Sequence, residues 1–175
     1  MAIKAEIANR NKTNVNIEVV PNTGVGVTSS DNSVNTTVLT IAEFTQAVTN
    51  ANLAFGKKIC SIPKKYTLLK VILDITYKSS DTQTTAADMG LGTVLASGVQ
   101  NALSGSDPGA ETLVTGQTAT VFNGTTEVTF TKGVAGVEDQ VNEAGDIYLN
   151  LAGAWEAIRT VTYSGTVTLI WSVAE

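Results

Sequence analysis

Along residues 159–173 apolar and polar positions alternate with period two. Val161, Tyr163, Gly165, Val167, Leu169, Trp171 and Val173 share one parity, and Thr160, Thr162, Ser164, Thr166, Thr168 and Ser172 the other. Successive side chains of a strand point to opposite faces, so the run predicts a strand with a bulky apolar face toward a core and a threonine-serine face toward solvent. It is too long for an ordinary strand of about 3–10 residues, and Ser164-Gly165 is expected to bulge, kink or turn it. A second alternation sets Leu69, Val71, Leu73, Ile75 and Tyr77 against Lys70, Asp74, Thr76 and Lys78, beyond a corner at residues 63–66 that follows Ile59 and Ile62. Shorter alternations run through Val15, Ile17 and Val19, and through Ile147-Tyr148-Leu149-Asn150-Leu151 behind Gly145-Asp146.

Turn chemistry divides the rest. Asn123-Gly124 is a two-residue type I′ hairpin signal, because both residues tolerate positive φ. Pairing Phe122 with Thr125 sets Ala119 opposite Val128 and puts Ala119, Val121, Val128 and Phe130 on one face. Residues 91–96 read as a short apolar strand between glycines, and residues 79–88 and 98–116 as loops. Residues 40–55 support two readings. Thr40 and Glu43 match a capping box, and Ile41, Phe44, Val48 and Phe55 recur near helical spacing. Against a helix, Thr45, Val48, Thr49, Asn50 and Asn52 are weak helix formers, and residues 38–44 suit a strand equally well. Roughly eight strands at this spacing, without a βαβ unit, predict an all-β protein: a jelly-roll or related antiparallel β-sandwich over residues 38–175. Residues 1–37, with Asn9, Asn11, Asn14, Asn16, Asn22, Asn32 and Asn35, cannot bury a core of their own. They are expected to form an extended N-terminal arm carrying one short strand that needs a partner.

Charge changes the picture of partners. The 175-residue chain, long enough for one buried core and short for two, has a net charge of −5. Residues 1–70 carry eight Lys/Arg against four acids (net +4), and residues 71–175 three against twelve (net −9). An acidic total argues against nucleic acid or an anionic membrane as partner. Halves of opposite sign can attract neighbouring copies, although a solvated surface has the same composition. The single cysteine, Cys60, excludes an intramolecular disulfide and is expected to be a small buried hydrophobe made in a reducing compartment. No stretch approaches the roughly 20 apolar residues of a membrane-spanning helix, and residues 1–10 lack the apolar core of a secretory signal, so synthesis as a soluble protein in a cytoplasm is expected.

Candidate chemistry is sparse. With no histidine in the chain, Ser-His-Asp and Cys-His arrangements and histidine metal sites are excluded. Acid–base work would fall to carboxylates, and Asp74, Asp81, Asp88, Asp107 and Glu111 lie in predicted loops or on polar strand faces, where solvation is the expectation. Glu138, Asp139, Glu143 and Asp146 crowd one segment but match no EF-hand spacing. Gly90-Leu91-Gly92 begins a dinucleotide fingerprint, but Leu95 stands at the third glycine position, and a strand-entry turn is the expectation. No catalytic residue, metal or cofactor is therefore assigned. Tyr163 and Trp171 share the apolar parity and belong to the core. Tyr148, on the polar parity, and Trp155, in a connecting segment, are the aromatics free to face outward, where they could stack on a sugar.

The run from 56 to 75, with Ile59-Cys60-Ser61-Ile62-Pro63 feeding a long strand, is followed by Met89-Gly90-Leu91-Gly92-Thr93 and Gly145-Asp146-Ile147-Tyr148-Leu149. Over about residues 45–175 this pattern of strand edges and corners resembles small virion proteins of tailed bacteriophages, most of all head decoration, or cement, proteins. The resemblance implies a jelly-roll or related sandwich on the outer surface of a capsid, often a homotrimer, that clamps adjacent major capsid subunits and brings no catalytic residues. On that expectation the contacts to neighbours fall to Val15, Ile17 and Val19 of the arm, adding a strand to another subunit. A basic patch of Lys57, Lys58, Lys64 and Lys65 is the second candidate. The alternatives are a receptor- or carbohydrate-binding module of a phage fibre, using Tyr148 and Trp155, and a carboxylate-dependent glycosidase or lyase.

Overall fold

The alternating runs become the longest strands of an all-β domain. The computed structural model describes residues 4–7, 15–18, 25–29, 34–62, 66–80, 85–103, 109–119, 128–135, 141–142, 145–155 and 159–173. Their strands, in chain order, are β1 (Lys4–Ile7), β2 (Val15–Glu18), β3 (Val25–Ser29), β4 (Asn35–Val48), β5 (Asn52–Ile62), β6 (Tyr66–Ser79), β7 (Ala87–Gly92), β8 (Val114–Ala119), β9 (Val128–Ala135), β10 (Val141–Asn142), β11 (Gly145–Ala154) and β12 (Arg159–Val173). The first sheet has the order β1-β2-β5-β11-β7-β8; the second has β10-β6-β12-β4-β3, with β9 also on β6. Every registered strand pair is antiparallel. The two sheets pack face to face, and neither closes on itself.

The inner faces carry the residues that the period-two pattern assigns to a core. Leu39, Ile41, Val71, Leu73, Ile75, Tyr77, Val161, Tyr163, Val167, Leu169 and Trp171 of the second sheet form one buried cluster with Phe55, Ile59, Cys60, Met89, Leu91, Ile147, Leu149 and Leu151 of the first. Trp171 sits at its heart with no exposed surface, and its Nε1–H donates to Oγ1 of the equally buried Thr37 at 2.9 Å. A buried indole N–H needs such a partner. Leu69 departs from expectation. The β6–β12 register shifts between Ile170 and Trp171, pairing Ile170 with Lys70 and Trp171 with Leu68, so Leu68 takes the fully buried position.

The strand reading of residues 40–55 is the one realised. They span β4, a tight connection in which Asn50 Oδ1 accepts the Asn52 N–H at 3.1 Å, and β5 in the opposite sheet. The helix-like spacing of Ile41 and Phe44 has a strand cause. Tyr163 pairs with Phe44 and Gly165 with Ile41, so β4 carries one residue more than β12 here, and the bulge turns two positions three apart toward the same face. The expected irregularity at Ser164-Gly165 is this bulge, and β12 continues through it as one strand. Gly165 has φ +143°, and a Cβ there would run into the Asp74 carbonyl of β6.

Three other expectations are corrected. The expected pairing of Ala119 with Val128 does not form: Ala119 pairs with Ala87 in the first sheet and Val128 with Tyr77 in the second, so β8 and β9 belong to different sheets. The Asn123-Gly124 turn itself, with Val121, lies outside the described residues. The strand placed at 91–96 is β7, ending at Gly92. Among the described residues, 1–37 hold three strands and the start of β4, not one strand. β1 and β2 form a four-pair hairpin from Lys4↔Glu18 to Ile7↔Val15, and β3 pairs with β4.

Candidate interaction surface

The inward parity of β5, β11 and β7 feeds the core, so the opposite parity builds the outer face of the first sheet. In register, Ser61 faces Asp146, and Lys58 faces Tyr148, which faces Gly92. Gly56 faces Asn150, which faces Gly90, and Ala54 faces Ala152, which faces Asp88. One end of this face is polar and the other is made of glycine, alanine, a single amide and Asp88.

The small end is the floor for a long loop. Residues 93–103 leave β7 and cross over β11 to β5, and residues 109–113 lead into β8. Their anchor is Asn150, fully buried on a sheet face. Its Oδ1 accepts the Ala96 N–H at 3.0 Å, and its Nδ2 donates to the carbonyls of Val94 at 2.9 Å and Ala110 at 2.6 Å. Backbone bonds close the loop: Thr93 and Val94 N–H to the Gly109 carbonyl, Ala54 N–H to that of Gly98, and Leu113 N–H to that of Leu91. Asp88 Oδ2 accepts the Leu103 N–H at 2.9 Å. Beneath it Ala54, Ala96, Leu103, Ala110 and Ala152 make a second small core. A Cβ on Gly56 would overlap the Asn150 amide, and one on Gly92 the Gly109–Ala110 backbone. Gly90 within β7 and Gly92 at its end are thus clearances for the loop, not a turn at a strand entry. The loop presents Val94, Leu95 and Val99 to solvent, 41%, 44% and 70% exposed. A fixed backbone carrying outward aliphatic groups is a docking feature, because scattered mobile side chains would lose more entropy on contact.

The polar end is a self-satisfied cluster. Asp146 Oδ1 accepts from Lys58 Nζ at 2.6 Å and Ser61 Oγ at 2.7 Å, and Oδ2 from the Tyr148 hydroxyl at 3.2 Å. The hydrogen bonds from Lys58 and Ser61 hold the Asp146 carboxyl below the usual carboxylate range, while partial burial and the adjacent Asp146 charge push the Tyr148 phenol up. The four groups point at one another across an open sheet face.

The expected contact residues are dispersed. Lys57 and Lys58 do not form one patch, because neighbours on a strand face opposite ways. Lys57 Nζ lies 3.9 Å from the centre of the Phe44 ring, and desolvation lowers its pKa. Lys64, Lys65 and Val19 lie outside the described residues. Val15 and Ile17 belong to β2, which is paired within its own chain between β1 and β5. Trp155, expected outside, is 1% exposed. Its Nε1–H donates to the Leu53 carbonyl at 2.9 Å, its ring lies over Gly153 and stacks with Phe55 at 6.0 Å. Tyr148 and Trp155 therefore form no sugar platform. On the second sheet a shallow, open depression lined by Glu43, Lys78, Thr162 and Ser164 has a cavity volume of only about 10 Å³, far below the roughly 300 Å³ of a small-molecule site. Among the described residues no three His, Cys, Asp or Glu side chains group as metal ligands. Cys60 is fully buried, and burial, then the Asp146 charge, push its thiol up to about 12.

The loop contacts Val94, Leu95 and Val99, and their anchor Asn150, were not singled out from sequence. The signal was present: from 89 to 106 the chain has no charged residue. No family model, curated protein or solved structure matches the chain.

Proposed function

We propose that this chain is a non-enzymatic structural protein of a phage virion. In this reading it is made in the host cytoplasm, sits on the outer surface of the capsid, and stabilises it by bridging major capsid subunits, with copies of itself as further partners. The observation that carries the reading is the β1–β2 hairpin. Glu18 pairs with Ser61, one residue from the end of β5, so the rest of the hairpin runs past the end of that strand. β1 then ends the first sheet. A strand edge held beyond the body is suited to adding onto the sheet of a neighbouring protein, where main-chain hydrogen bonds supply the affinity.

The strand orders β4-β12-β6-β9 and β5-β11-β7-β8 support reading the eight core strands as a jelly roll, in which successive strands alternate between the sheets except for the β7–β8 pair. Jelly rolls serve capsids and lectins alike, so the fold does not choose between them. The inward Trp155 and the engaged Tyr148 hydroxyl favour decoration over sugar binding.

Electron microscopy of purified particles with wild-type protein and with a variant lacking residues 1–20 tests the proposal. Wild-type protein should appear in many copies on the capsid exterior and the truncated form should be lost from it. Protein found in lysate and absent from particles, or truncated protein at full occupancy, overturns the bridging role of the arm.

A further inference from the structure

We infer that the β1–β2 hairpin is exchangeable, leaving its place on β5 of its own chain for the same place on β5 of a second copy. Donor and acceptor are both present in this structure. β1 and β2 pair with each other from Lys4↔Glu18 to Ile7↔Val15, and β2 meets the body where Glu18 pairs with Ser61. The hairpin is thus a unit by its own main-chain bonds and takes them with it when it moves. The place it leaves, the β5 edge at Ser61, is the same in every copy. An edge that accepts Glu18 from its own chain accepts it from another through the same backbone groups, which is the condition for exchanging an element between protomers.

The length of the connection sets how far the hairpin reaches. Glu18 pairs in the first sheet and Val25, opposite Ile41, in the second; between them stand Val19, Val20, Pro21, Asn22, Thr23 and Gly24. Fully extended, that stretch of chain spans about 23–25 Å, more than twice the roughly 10 Å between packed sheets. Its length therefore does not confine the hairpin to its own chain. In dilute solution the chain's own β5 is at the higher effective concentration and holds the hairpin. Where copies stand side by side, both pairings make the same contacts, and each exchange ties one molecule to the next. The inference names a second copy as the partner of the arm, and so it rests on the reading of the arm as a tether.

Disulfide trapping in the full chain tests it. Registered cross-strand positions fall within the roughly 4.4–6.8 Å between Cα atoms that a disulfide takes. Cys60 stays in place, because it is fully buried and does not compete for oxidation. Glu18→Cys/Ser61→Cys in one chain, oxidised at low concentration, should close an intrachain bond. Separate Glu18→Cys and Ser61→Cys chains, mixed at high micromolar concentration, should give a covalent heterodimer that peptide mapping finds joined between positions 18 and 61. Its yield should exceed by at least about tenfold that of Ser61→Cys mixed with Val34→Cys, an exposed position preceding β4 that sets the collision background. Circular dichroism melting of each variant verifies the fold. A mixture that yields no more than this background overturns the exchange. So does a double variant that closes no intrachain bond, since the pairing to be exchanged is then missing. Particle occupancy of the variant lacking residues 1–20 is read separately. Lost occupancy beside a background-level mixture overturns the exchange and leaves the arm a tether to a capsid subunit.

Discussion

Two buried side chains carry unusually specific loads. Asn150 is the more exposed to test, because it holds a loop rather than a core. Asn150→Ala would strand the Val94 and Ala110 carbonyls and the Ala96 N–H, each costing about 1–3 kcal/mol if it stays buried. Urea unfolding should report a loss of at least about 2 kcal/mol, and the Ala96 amide should exchange much faster with solvent. Trp171→Ala should cost about 3–5 kcal/mol through lost transfer energy and a residual cavity, and it also removes the indole N–H that donates to the Thr37 hydroxyl. A Trp171→Ala protein melting like wild type would show that the two sheets do not pack on this ring. Asp146 is a milder case, since it is 38% exposed and solvent screens its partners. Its pKa is depressed in the folded state, so its contribution is present above the ordinary carboxylate range and is lost as pH falls through the folded value. Asp146→Asn should therefore be less stable than wild type at pH about 7 and indistinguishable from it at pH about 2, compared by urea unfolding at the two pH values.

At the scale of elements, the legible parts were those in which one residue sits opposite one residue. β12 shows its inner face as an unbroken period of two, and β6 does so from Val71 to Tyr77, because each is flanked by partners along most of its length and one face is buried. Sequence reading lost the pattern where a bulge intervenes. Ile41 and Phe44 are spaced three apart for that reason, which gave residues 40–55 their helical alternative, and Leu69 and Leu68 exchange places for the same reason. The pairing of Ala119 with Val128 was misjudged, because turn propensity is local and the sheets that claim β8 and β9 are not. The outer face of the first sheet was illegible because its cover is a loop, and a loop has no period. Gly165 joins residue and element. With φ +143° and the Asp74 carbonyl against its Cα, Gly165→Ala should destabilise by more than about 1 kcal/mol, measured by thermal or urea unfolding. The register of β12 on β6 would have to shift to relieve it.

On the scale of the whole molecule, the arm divides at a point that composition alone did not reveal. Residues 1–37 form one zone by their asparagines, yet among the described residues β1 and β2 join the body through one registered pair, whereas β3 pairs with β4 over five residues from Val25↔Ile41 to Ser29↔Thr37. Thr37, the hydrogen-bond partner of Trp171, also falls in the zone. Removing residues 1–20 should then leave the melting temperature close to that of the full chain, because the buried cluster and the β3–β4 ladder remain. Removing residues 1–37 should lower it sharply, through the exposed edge of β4 and the unpaired indole N–H of Trp171. Comparing the two truncations by differential scanning calorimetry separates an arm that tethers from an arm that folds. If the shorter deletion unfolds the domain, the hairpin is part of the core structure and the bridging role proposed for it fails. If both deletions melt like the full chain, the pairing of β3 with β4 and of Trp171 with Thr37 contributes nothing to stability. The expected result, a stable short deletion beside a weakened long one, makes the 1–20 variant the proper reagent for particle binding. Any loss of occupancy it shows then reports a lost contact and not a lost fold.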